Sequence, residues 1–423
     1  MSRIDPRPQG WEAIPLRYVC KLNPSVAFDG LDEDEDLTFL PMEKVKGGYF
    51  IPNTDKFSKY GSSYSTFEDG DIVLAKVTPC FENGNIAIAR DLVAGKGFGS
   101  SELFVIRATA AERRFLFYYF QSSIFKQDGQ ASMTGAGGLK RVSPDVLRQH
   151  HLPCPSRDVQ RRIANYLDRE TARIDGLIAE KERMLALLEE KRAALISRIV
   201  TRGLDPDAPL KPSDQAWLGE IPAHWAEPRA KGLFREVDQR TETGEETLLS
   251  LRMGKGLVPH HEVSEKLLEA SDVTGFKKIE PGQMVINRMR AASGLIAVAT
   301  EAGLVSPDYA VFDVVDQELS IEYFLELFKT SLLQAVFKSS SKGLGTGEQG
   351  FLRLYTEAFL SLHFPYPPVD EQLTIVKFVR QQRSEMLHME NLLRHSIDLA
   401  EERRAALITE AVTGQIPLEE MTE

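Results

Sequence analysis

Two segments of the chain place apolar residues at a heptad spacing, and neither contains a proline. The first runs from about 158 to 202 and the second from about 370 to 413. A helix of about 45 residues spans roughly 68 Å, which is longer than an ordinary globular helix. A heptad repeat of this length is typical of a coiled coil, so the pattern predicts that the two long helices pair. The positions that recur at multiples of seven are Leu167, Ile174, Leu188 and Leu195 in the first segment, and Val379, Met386, Leu393 and Leu407 in the second.

The rest of the chain consists of short β-like runs separated by Gly, Pro and Asp turn signals. In each half, a tryptophan-containing segment leads into these runs. A short apolar helix follows, then a Gly-rich loop and a Pro-flanked start of the long helix. The β-like runs include 71–76, 103–107, 283–287 and 310–315, and the short helices are predicted over 115–125 and 321–337.

The two halves are copies of one another. When the sequence is slid by 212 residues, nine of the thirteen residues in 189–201 are identical to those in 401–413. Four blocks that share one offset are not an accident of composition, so the chain is a tandem duplication. The other three blocks place 70–76 on 282–288, 134–141 on 346–353, and 153–163 on 365–375.

A two-fold relation between the halves would make the long helices antiparallel, with one globular domain at each end. We therefore predict an α+β fold, a tandem duplication of two mixed α/β domains joined by two long antiparallel coiled-coil helices. In the alternative, each amphipathic helix packs on its own domain. The predicted segments are a first domain over 1–156, a helical spacer over 157–204, a linker over 205–216, a second domain over 217–368, a second spacer over 369–416 and an acidic tail over 417–423.

Composition and charge narrow the class of protein. The chain has 423 residues, of which 42% are hydrophobic and 27% charged, too apolar for a disordered chain. The net charge is −11, but nine carboxylates lie in an acidic loop over 29–36 and in the tail, and without them the charge is −2. A near-neutral remainder can carry a basic face, so charge does not exclude nucleic acid.

The cysteines and the apolar runs indicate a soluble protein of the cytoplasm. Cys20, Cys80 and Cys154 are odd in number and far apart, so a disulfide framework is not expected. The chain has no apolar run long enough to span a membrane and no apolar segment at its start.

No motif supports catalysis by this chain alone. The pattern Gly-x4-Gly-Lys-Ser/Thr does not occur, and the Gly-x-Gly-x-x-Gly over 345–350 follows a predicted helix instead of a strand. The adjacent pairs His150-His151 and His260-His261 lack the spaced partners of a metal site, so we expect surface or loop histidines. An enzyme with an unrecognised site remains the least favoured class.

Four local patterns occur in an order that identifies a family. They are Lys-Val-Thr-Pro-Cys-Phe-Glu-Asn-Gly at 76–84, Trp-Leu-Gly-Glu-Ile-Pro-Ala-His-Trp at 217–225, Ser-Pro-Asp-Tyr at 306–309, and Pro-Pro-Val-Asp-Glu-Gln-x-x-Ile at 367–375. With them the chain resembles the DNA-specificity subunit of type I restriction–modification systems over about residues 10–416. One departure is that the first long helix has Val159 where the second has Glu371.

The resemblance implies a non-catalytic subunit that serves defence against foreign DNA. Each globular domain would be a target-recognition domain that reads one half of a bipartite, asymmetric target in double-stranded DNA, and the helices would set the spacing between the halves. Two copies of an adenine methyltransferase would dock on the helical spacers, and a restriction subunit that translocates DNA would join them. S-adenosylmethionine and ATP with Mg²⁺ would bind those partners, and no cofactor is expected on this chain.

Candidate DNA-binding residues come from the aligned halves. Lys76 aligns with Arg288 and Arg141 with Arg353, so both halves place a basic residue there. Basic side chains mostly contact phosphates, whereas Asn and Gln read base edges. The alternative for all of them is a solvated charge or a turn residue. The other basic candidates are Lys140, Arg290, Lys338 and Lys342, and the candidate base readers are Asn83, Asn85 and Gln349.

Two further interpretations stay open on sequence. The chain could be the recognition subunit of a type II system in which one partner both methylates and cleaves. From a different class, it could be a coiled-coil scaffold that binds only protein.

Overall fold

The computed structural model describes residues 8–28, 35–56, 58, 64–136, 138–264, 269–344 and 351–421. The chain forms two compact units, Met1–Glu182 with Arg394–Glu423, and Arg183–Leu393. Two long helices, α4 (Arg157–Arg202) and α10 (Val369–Val412), each contribute one segment to both units. These two helices coincide with most of the predicted spacers, 157–204 and 369–416. The boundaries predicted for the globular domains stay a prediction.

The first unit contains two four-stranded sheets. Its strands are β1 (Glu12–Pro15), β2 (Cys20–Leu22), β3 (Asp36–Leu40), β4 (Asn53–Lys56), β5 (Ser65–Glu68), β6 (Ile72–Ala75), β7 (Ile86–Ile88), β8 (Lys96–Gly99), β9 (Leu103–Ala108), β10 (Thr134–Ala136), β11 (Leu139–Arg141) and β12 (His151–Cys154). One sheet has the antiparallel order β2-β9-β6-β7, and the other has the order β4-β3-β8-β5, with β3 and β8 parallel. Strands β1 and β12 form a pair, as do β10 and β11. The short helices are α1 (Arg113–Tyr119), α2 (Ser123–Ala131) and α3 (Pro144–Gln149).

The second unit repeats the order of elements. Its strands are β13 (Leu210–Pro212), β14 (Glu220–Pro222), β15 (Phe234–Val237), β16 (Leu249–Arg252), β17 (Gly256–Pro259), β18 (Lys277–Ile279), β19 (Met284–Asn287), β20 (Ile296–Val298), β21 (Gly303–Val305), β22 (Tyr309–Val314), β23 (Lys342–Leu344) and β24 (Phe351–Arg353). The antiparallel sheet β15-β22-β19-β20 matches β2-β9-β6-β7 of the first unit. The other strands pair as β13-β14, β16-β17, β18-β21 and β23-β24, so part of the predicted linker is a strand. The short helices are α5 (Ala230–Leu233), α6 (Ala270–Val273), α7 (Ile321–Phe328), α8 (Ser331–Ser339) and α9 (Thr356–Ser361).

Strand β6 is apolar throughout because both of its faces are buried. Ile72 and Leu74 belong to one hydrophobic core of the first unit, while Val73 and Ala75 belong to another. Since side chains alternate along a strand, this run supplies both cores. A continuous apolar run on the sequence therefore marks the central strand of the domain.

The long helices pack antiparallel. In the first unit, Leu167 near the start of α4 shares a core with Val412 at the end of α10, and Arg404 lies 2.7 Å from the Asp175 carboxylate. In the second unit, Val200 near the end of α4 shares a core with Ile375 near the start of α10. The predicted fold class is confirmed.

The heptad positions behave as predicted. All eight are buried or partly buried. Other apolar residues of the same helices are about half exposed, so each helix also presents an apolar surface outside the pairing seam. They are Leu177, Met184 and Leu187 on α4, and Leu387, Leu392 and Leu399 on α10.

A buried glutamine at the start of each long helix explains one matched pair of the repeat. The Gln160 side chain accepts a hydrogen bond from the Glu112 amide (2.7 Å) and donates one to the Pro155 carbonyl (2.8 Å). Gln372 likewise accepts from the Ser320 amide (2.8 Å) and donates to the Pro367 carbonyl (2.8 Å). Glu112 and Ser320 are the N-caps of α1 and α7, so each glutamine joins a long helix to a short helix of the neighbouring globular domain.

The second long helix has one further contact that the first lacks. Glu371 accepts a hydrogen bond from the Trp225 indole (3.0 Å) and lies 2.8 Å from His224 Nε2. Val159 stands at the aligned position of α4 and cannot accept a hydrogen bond. The departure noted in the sequence is therefore a difference in how the two domains are joined to the helices.

His150 is not a surface histidine as expected. Its imidazole is 6% exposed, with Nε2 lying 2.6 Å from the Tyr119 hydroxyl and Nδ1 lying 3.0 Å from the Asp128 carboxylate. Three polar groups from α1, α2 and the end of α3 thus meet inside the first unit. The adjacent His151 is exposed on β12, so the expectation holds for one member of the pair.

We expect the stability of the first unit to depend on pH through His150. Burial lowers the pKa of His150 below its ordinary value of 6.5, against the opposing effect of Asp128. The unfolded chain then binds the proton more readily, so the free energy of unfolding falls as the pH drops below about 6.5. Urea titration between about pH 7.5 and about pH 5.5 should show a larger drop in the midpoint for wild type than for His150→Gln. An equal drop in both proteins would assign the pH dependence to other groups.

No helix in the described parts of the chain combines the length and the apolar character needed to cross a membrane.

Candidate nucleic-acid interface

In the first unit, the loop after β6 and the hairpin β10-β11 form one surface. The Thr78 hydroxyl accepts a hydrogen bond from the Lys140 amide (3.0 Å) and donates one to the Gly138 carbonyl (2.9 Å). The Val142 amide donates to the Lys76 carbonyl (2.8 Å). Every residue of the two hairpin strands is exposed. The backbone therefore brings the predicted residues Lys76, Lys140 and Arg141 together.

The asparagines of the same loop occupy a tight turn. Asn83 is exposed and Asn85 is partly buried, and Gly84 between them has a φ of +72°. A Cβ atom on Gly84 would lie 2.8 Å from Lys126 Nζ, so this lysine of α2 lies over the turn. Burial lowers the pKa of Lys126. Sequence reasoning missed Lys126 because it stands in an apolar helix, away from the Gly-rich loop.

Arg141 forms an ion pair inside the domain. Its guanidinium makes hydrogen bonds of 2.6, 3.0 and 3.1 Å to the Glu102 carboxylate, which lowers the pKa of that carboxyl. Lys76 Nζ lies 5.5 Å from the centre of the Phe104 ring. Arg141 therefore holds the hairpin against the turn before β9, while Lys76 and Lys140 carry the cations of this surface.

The second unit repeats this arrangement at the aligned positions. The Leu354 amide donates to the Arg288 carbonyl (2.9 Å), as Val142 does to Lys76. Arg353 lies 3.3 Å from Asp308, which precedes β22 as Glu102 precedes β9. The two halves thus share a hairpin held to the central sheet by a backbone hydrogen bond and an arginine–carboxylate pair.

Arg288 has a different environment from its aligned partner Lys76. Its side chain is 16% exposed, contacts the Glu236 carboxylate and donates to the Thr356 hydroxyl (3.0 Å). Glu236 also lies 3.5 Å from Lys277 Nζ, which is buried. These contacts join the sheet that contains β15 and β19 to the start of α9. Arg288 therefore stabilises the fold below this surface, whereas Lys76 lies in the surface of the first unit.

The remaining predicted residues lie around the second hairpin. Arg290 is exposed in the loop after β19, Lys338 is exposed in the last turn of α8, and Lys342 is exposed at the start of β23. Gln349 lies outside the described residues. Among the residues that the structure describes, no group of three His, Cys, Asp or Glu side chains could hold a metal ion.

Comparison with known proteins shows that the first part of the chain is similar to type I specificity proteins. Residues 8–183 match the family model of the type I restriction modification DNA specificity domain. The specificity subunits of the type I restriction enzymes EcoEI and EcoAI from Escherichia coli are 33% and 34% identical to this chain over 161 residues, 37% of it. The matched region spans 27% of the length of each of these relatives.

Similarity over the whole chain is weaker in sequence. The specificity subunit of the type I restriction enzyme MjaVIII from Methanocaldococcus jannaschii is 21% identical over 430 residues, 97% of this chain and 93% of the relative. A chain from a structural study of complex assembly and conformational transition in a type I R-M system has a TM-score of 0.70 at 17% identity, covering 97% of this chain and 99% of that one. The HsdS subunit from Thermoanaerobacter tengcongensis has a TM-score of 0.54 at 17% identity, covering 98% and 100%. The predicted resemblance to type I specificity subunits is confirmed.

Proposed function

We propose that this chain is the DNA-specificity subunit of a type I restriction–modification system, with one half of a split target read by each globular domain. One observation carries the proposal. Both units hold a two-stranded hairpin to the sheet by the same backbone hydrogen bond and the same kind of ion pair, next to loops with different side chains. Two domains that recognise different base sequences can share a backbone framework, but they need different side chains at the positions that contact bases.

The loops themselves indicate that the two half-targets differ. The turn Asn83-Gly84-Asn85 of the first unit corresponds to Ser293-Gly294-Leu295 in the second, and both central glycines have a φ of +72°. The backbone of the turn is thus kept, while exposed Asn83 is replaced by exposed Ser293 and Leu295 is buried in the core of the second unit. The asparagine amide can make paired hydrogen bonds to adenine, which a single hydroxyl cannot.

The long helices carry the proposed contacts with methyltransferase subunits. Four alanines stay exposed at matched positions: Ala193 and Ala194 on α4, and Ala405 and Ala406 on α10. Identity at exposed positions is not required by the packing of either unit. It therefore supports two equivalent surfaces for two copies of one partner.

In this proposal the chemistry belongs to the partners. The methyltransferase copies bind S-adenosylmethionine, and the restriction subunit binds ATP and Mg²⁺. This chain contributes target recognition without catalysis, in the cytoplasm. The type II arrangement differs only in a partner that both methylates and cleaves.

The methylome of cells tests this function. Cells that express the chain with its neighbouring methyltransferase should show a split motif of methylated adenines, absent from cells with the methyltransferase alone. We expect each half of that motif to be a different short sequence. A stable complex without a new motif would contradict DNA reading and leave the helices as a docking scaffold.

A further inference from the structure

We propose that two exposed hairpin tips, residues 44–51 in the first unit and residues 252–256 in the second, read bases, with Tyr49 and Met253 as the side chains that contact them. The proposal rests on the proposed function, since it names base-reading residues within it. Neither tip contains any of the DNA-binding residues that the sequence alignment of the two halves predicts. Each lies next to the loop that carries those positions.

In the first unit, the tip is fastened beside the Asn83-Gly84-Asn85 turn. The Lys46 amide donates to the Tyr49 carbonyl (2.8 Å), which closes a tight turn through Gly47 and Gly48, where Gly48 has a φ of +101°. The Gly48 amide donates to the Ile86 carbonyl (2.8 Å), and the Ile86 amide donates to the Lys46 carbonyl (3.1 Å). Ile86 directly follows Asn85. These bonds hold the tip at a fixed distance from the turn.

The fixed tip leaves a large aromatic side chain in solvent. Tyr49 is 60% exposed, and Lys44 and Lys46 of the same tip are partly exposed. Burial of the Tyr49 ring against a ligand would remove apolar surface from water without any change in the fold of the turn. The cations beside it select a polyanion as that ligand.

The second unit presents an equivalent tip with different chemistry. Residues 252–256 join β16 to β17, and Met253 at the tip is 60% exposed between exposed Arg252 and Lys255. The hairpin packs on β20, because Leu251 and Leu257 share a core with Ala297. The β20 strand directly follows the loop of Arg290, as β7 follows the turn of Asn85.

The second tip carries cations of its own, since Arg252 and Lys255 are both exposed. Arg290 is exposed in the loop that precedes β20, the strand on which the hairpin packs. Met289, which is 37% exposed, directly precedes Arg290 in that loop. The tip and the loop thus each expose a methionine next to an arginine.

A tip that exposes a large side chain together with cations suits duplex DNA. Lysine and arginine contact phosphates on both sides of a groove, and an apolar side chain between them reaches the thymine methyl group or an unstacked base step. Tyrosine and methionine differ in shape and polarity, so the two tips would prefer different bases. A protein partner would not need cations in both tips.

The test uses the complex of the full chain with its methyltransferase. We expect Tyr49→Ser to relax the preference at a base pair in one half of the methylated motif, and Met253→Ser to relax the other half. Fluorescence anisotropy with the cognate duplex should show about tenfold weaker binding for each variant, with binding to random duplex unchanged. Lys46→Ala should weaken binding to both duplexes by the same factor.

Matched controls separate this effect from general damage. Tyr18 is 63% exposed beside Arg17 and precedes β2, which pairs with the far end of β9 from the loop. Val315 is 41% exposed and follows the far end of β22. Tyr18→Ser and Val315→Ser should keep the motif and the affinity.

The outcomes distinguish this inference from the proposed function. A wild-type complex without a split motif would overturn the function itself. A wild-type motif that Tyr49→Ser and Met253→Ser leave unchanged would overturn only the assignment of the tips. Equal weakening of cognate and random binding would also overturn it, because the side chains would then act on the backbone of DNA.

Discussion

Replacement of Gln372 by leucine is expected to lower the free energy of unfolding of the second unit by about 2–4 kcal/mol. Gln372 is fully buried, and its side chain accepts from the Ser320 amide and donates to the Pro367 carbonyl, both at 2.8 Å. Leucine leaves those two buried groups without their partners, which costs about 1–3 kcal/mol for each group. The added apolar surface offsets only part of that loss.

The effect should be local to the start of α10 and α7. Ser320 caps α7, whose Tyr323 hydroxyl donates to the Val200 carbonyl (2.7 Å) on α4. Trp225 lies beside the same helix start, bonded to Glu371, so its fluorescence reports the transition. A urea titration followed by tryptophan emission should show a midpoint at lower urea for the variant.

An exposed glutamine on the same helix provides the control. Gln381 is exposed and bonds only within the helix surface, to Glu385 (2.9 Å). Gln381→Leu should change the unfolding free energy by less than about 0.5 kcal/mol. Gln160→Leu should destabilise the first unit as Gln372→Leu does the second. If Gln160→Leu and Gln372→Leu both unfolded at the wild-type urea concentration, the glutamines would not join the long helices to the domains.

The same glutamines show what the sequence could and could not predict. The alignment of the halves places Gln160 on Gln372, and the heptads predict the helices that carry them, since both signals are local or periodic. The N-cap amide that each glutamine bonds is about fifty residues away along the chain. No periodicity reports such contacts, so the role of the glutamines required coordinates.

The candidate site was predicted less completely, for a related reason. Arg141 and Arg353 align at the 212-residue offset, but their carboxylate partners Glu102 and Asp308 are 206 residues apart. An alignment of the two halves at one offset of 212 residues therefore does not place Glu102 on Asp308, and the shared arginine–carboxylate pair is not visible in it. The sequence predicts both arginines as DNA-binding residues but not their acidic partners, and the structure shows each arginine paired with a carboxylate. Whether they also contact DNA stays a prediction.

The exposed tips were missed because exposure has no sequence signature. Tyr49 and Met253 resemble ordinary core residues when they are read along the chain. Only the paired strands around them show that the residues stand at turns and point into solvent. His150 is the reverse case, a polar residue expected at the surface whose imidazole the fold buries.

Substitution of the matched alanines is expected to prevent the methyltransferase from binding and thereby to abolish methylation of the target. Ala194→Trp on α4 and Ala406→Trp on α10 each insert an indole into one of the two proposed docking surfaces. On α4, Ala193 and Ala194 line a groove with Ser197, Arg198 and Ser331 of α8, which a tryptophan would fill. The loss of a packed contact of this kind costs on the order of 2–4 kcal/mol of binding, or about a hundredfold in affinity.

Native mass spectrometry of the co-purified complex measures the result directly. We expect each single variant to lose one methyltransferase copy and the double variant to lose both, while the split motif disappears from the methylome of the double variant. Ala186→Trp is the control, because Ala186 is exposed on α4 about two turns before Ala193, aligns with Asp398 and lies outside the matched block 189–201. Two retained copies in the double variant would place the docking surface elsewhere. Loss of one copy from each single variant would instead mean that the duplicated helices bind one partner twice, as the duplicated hairpins bind two half-targets.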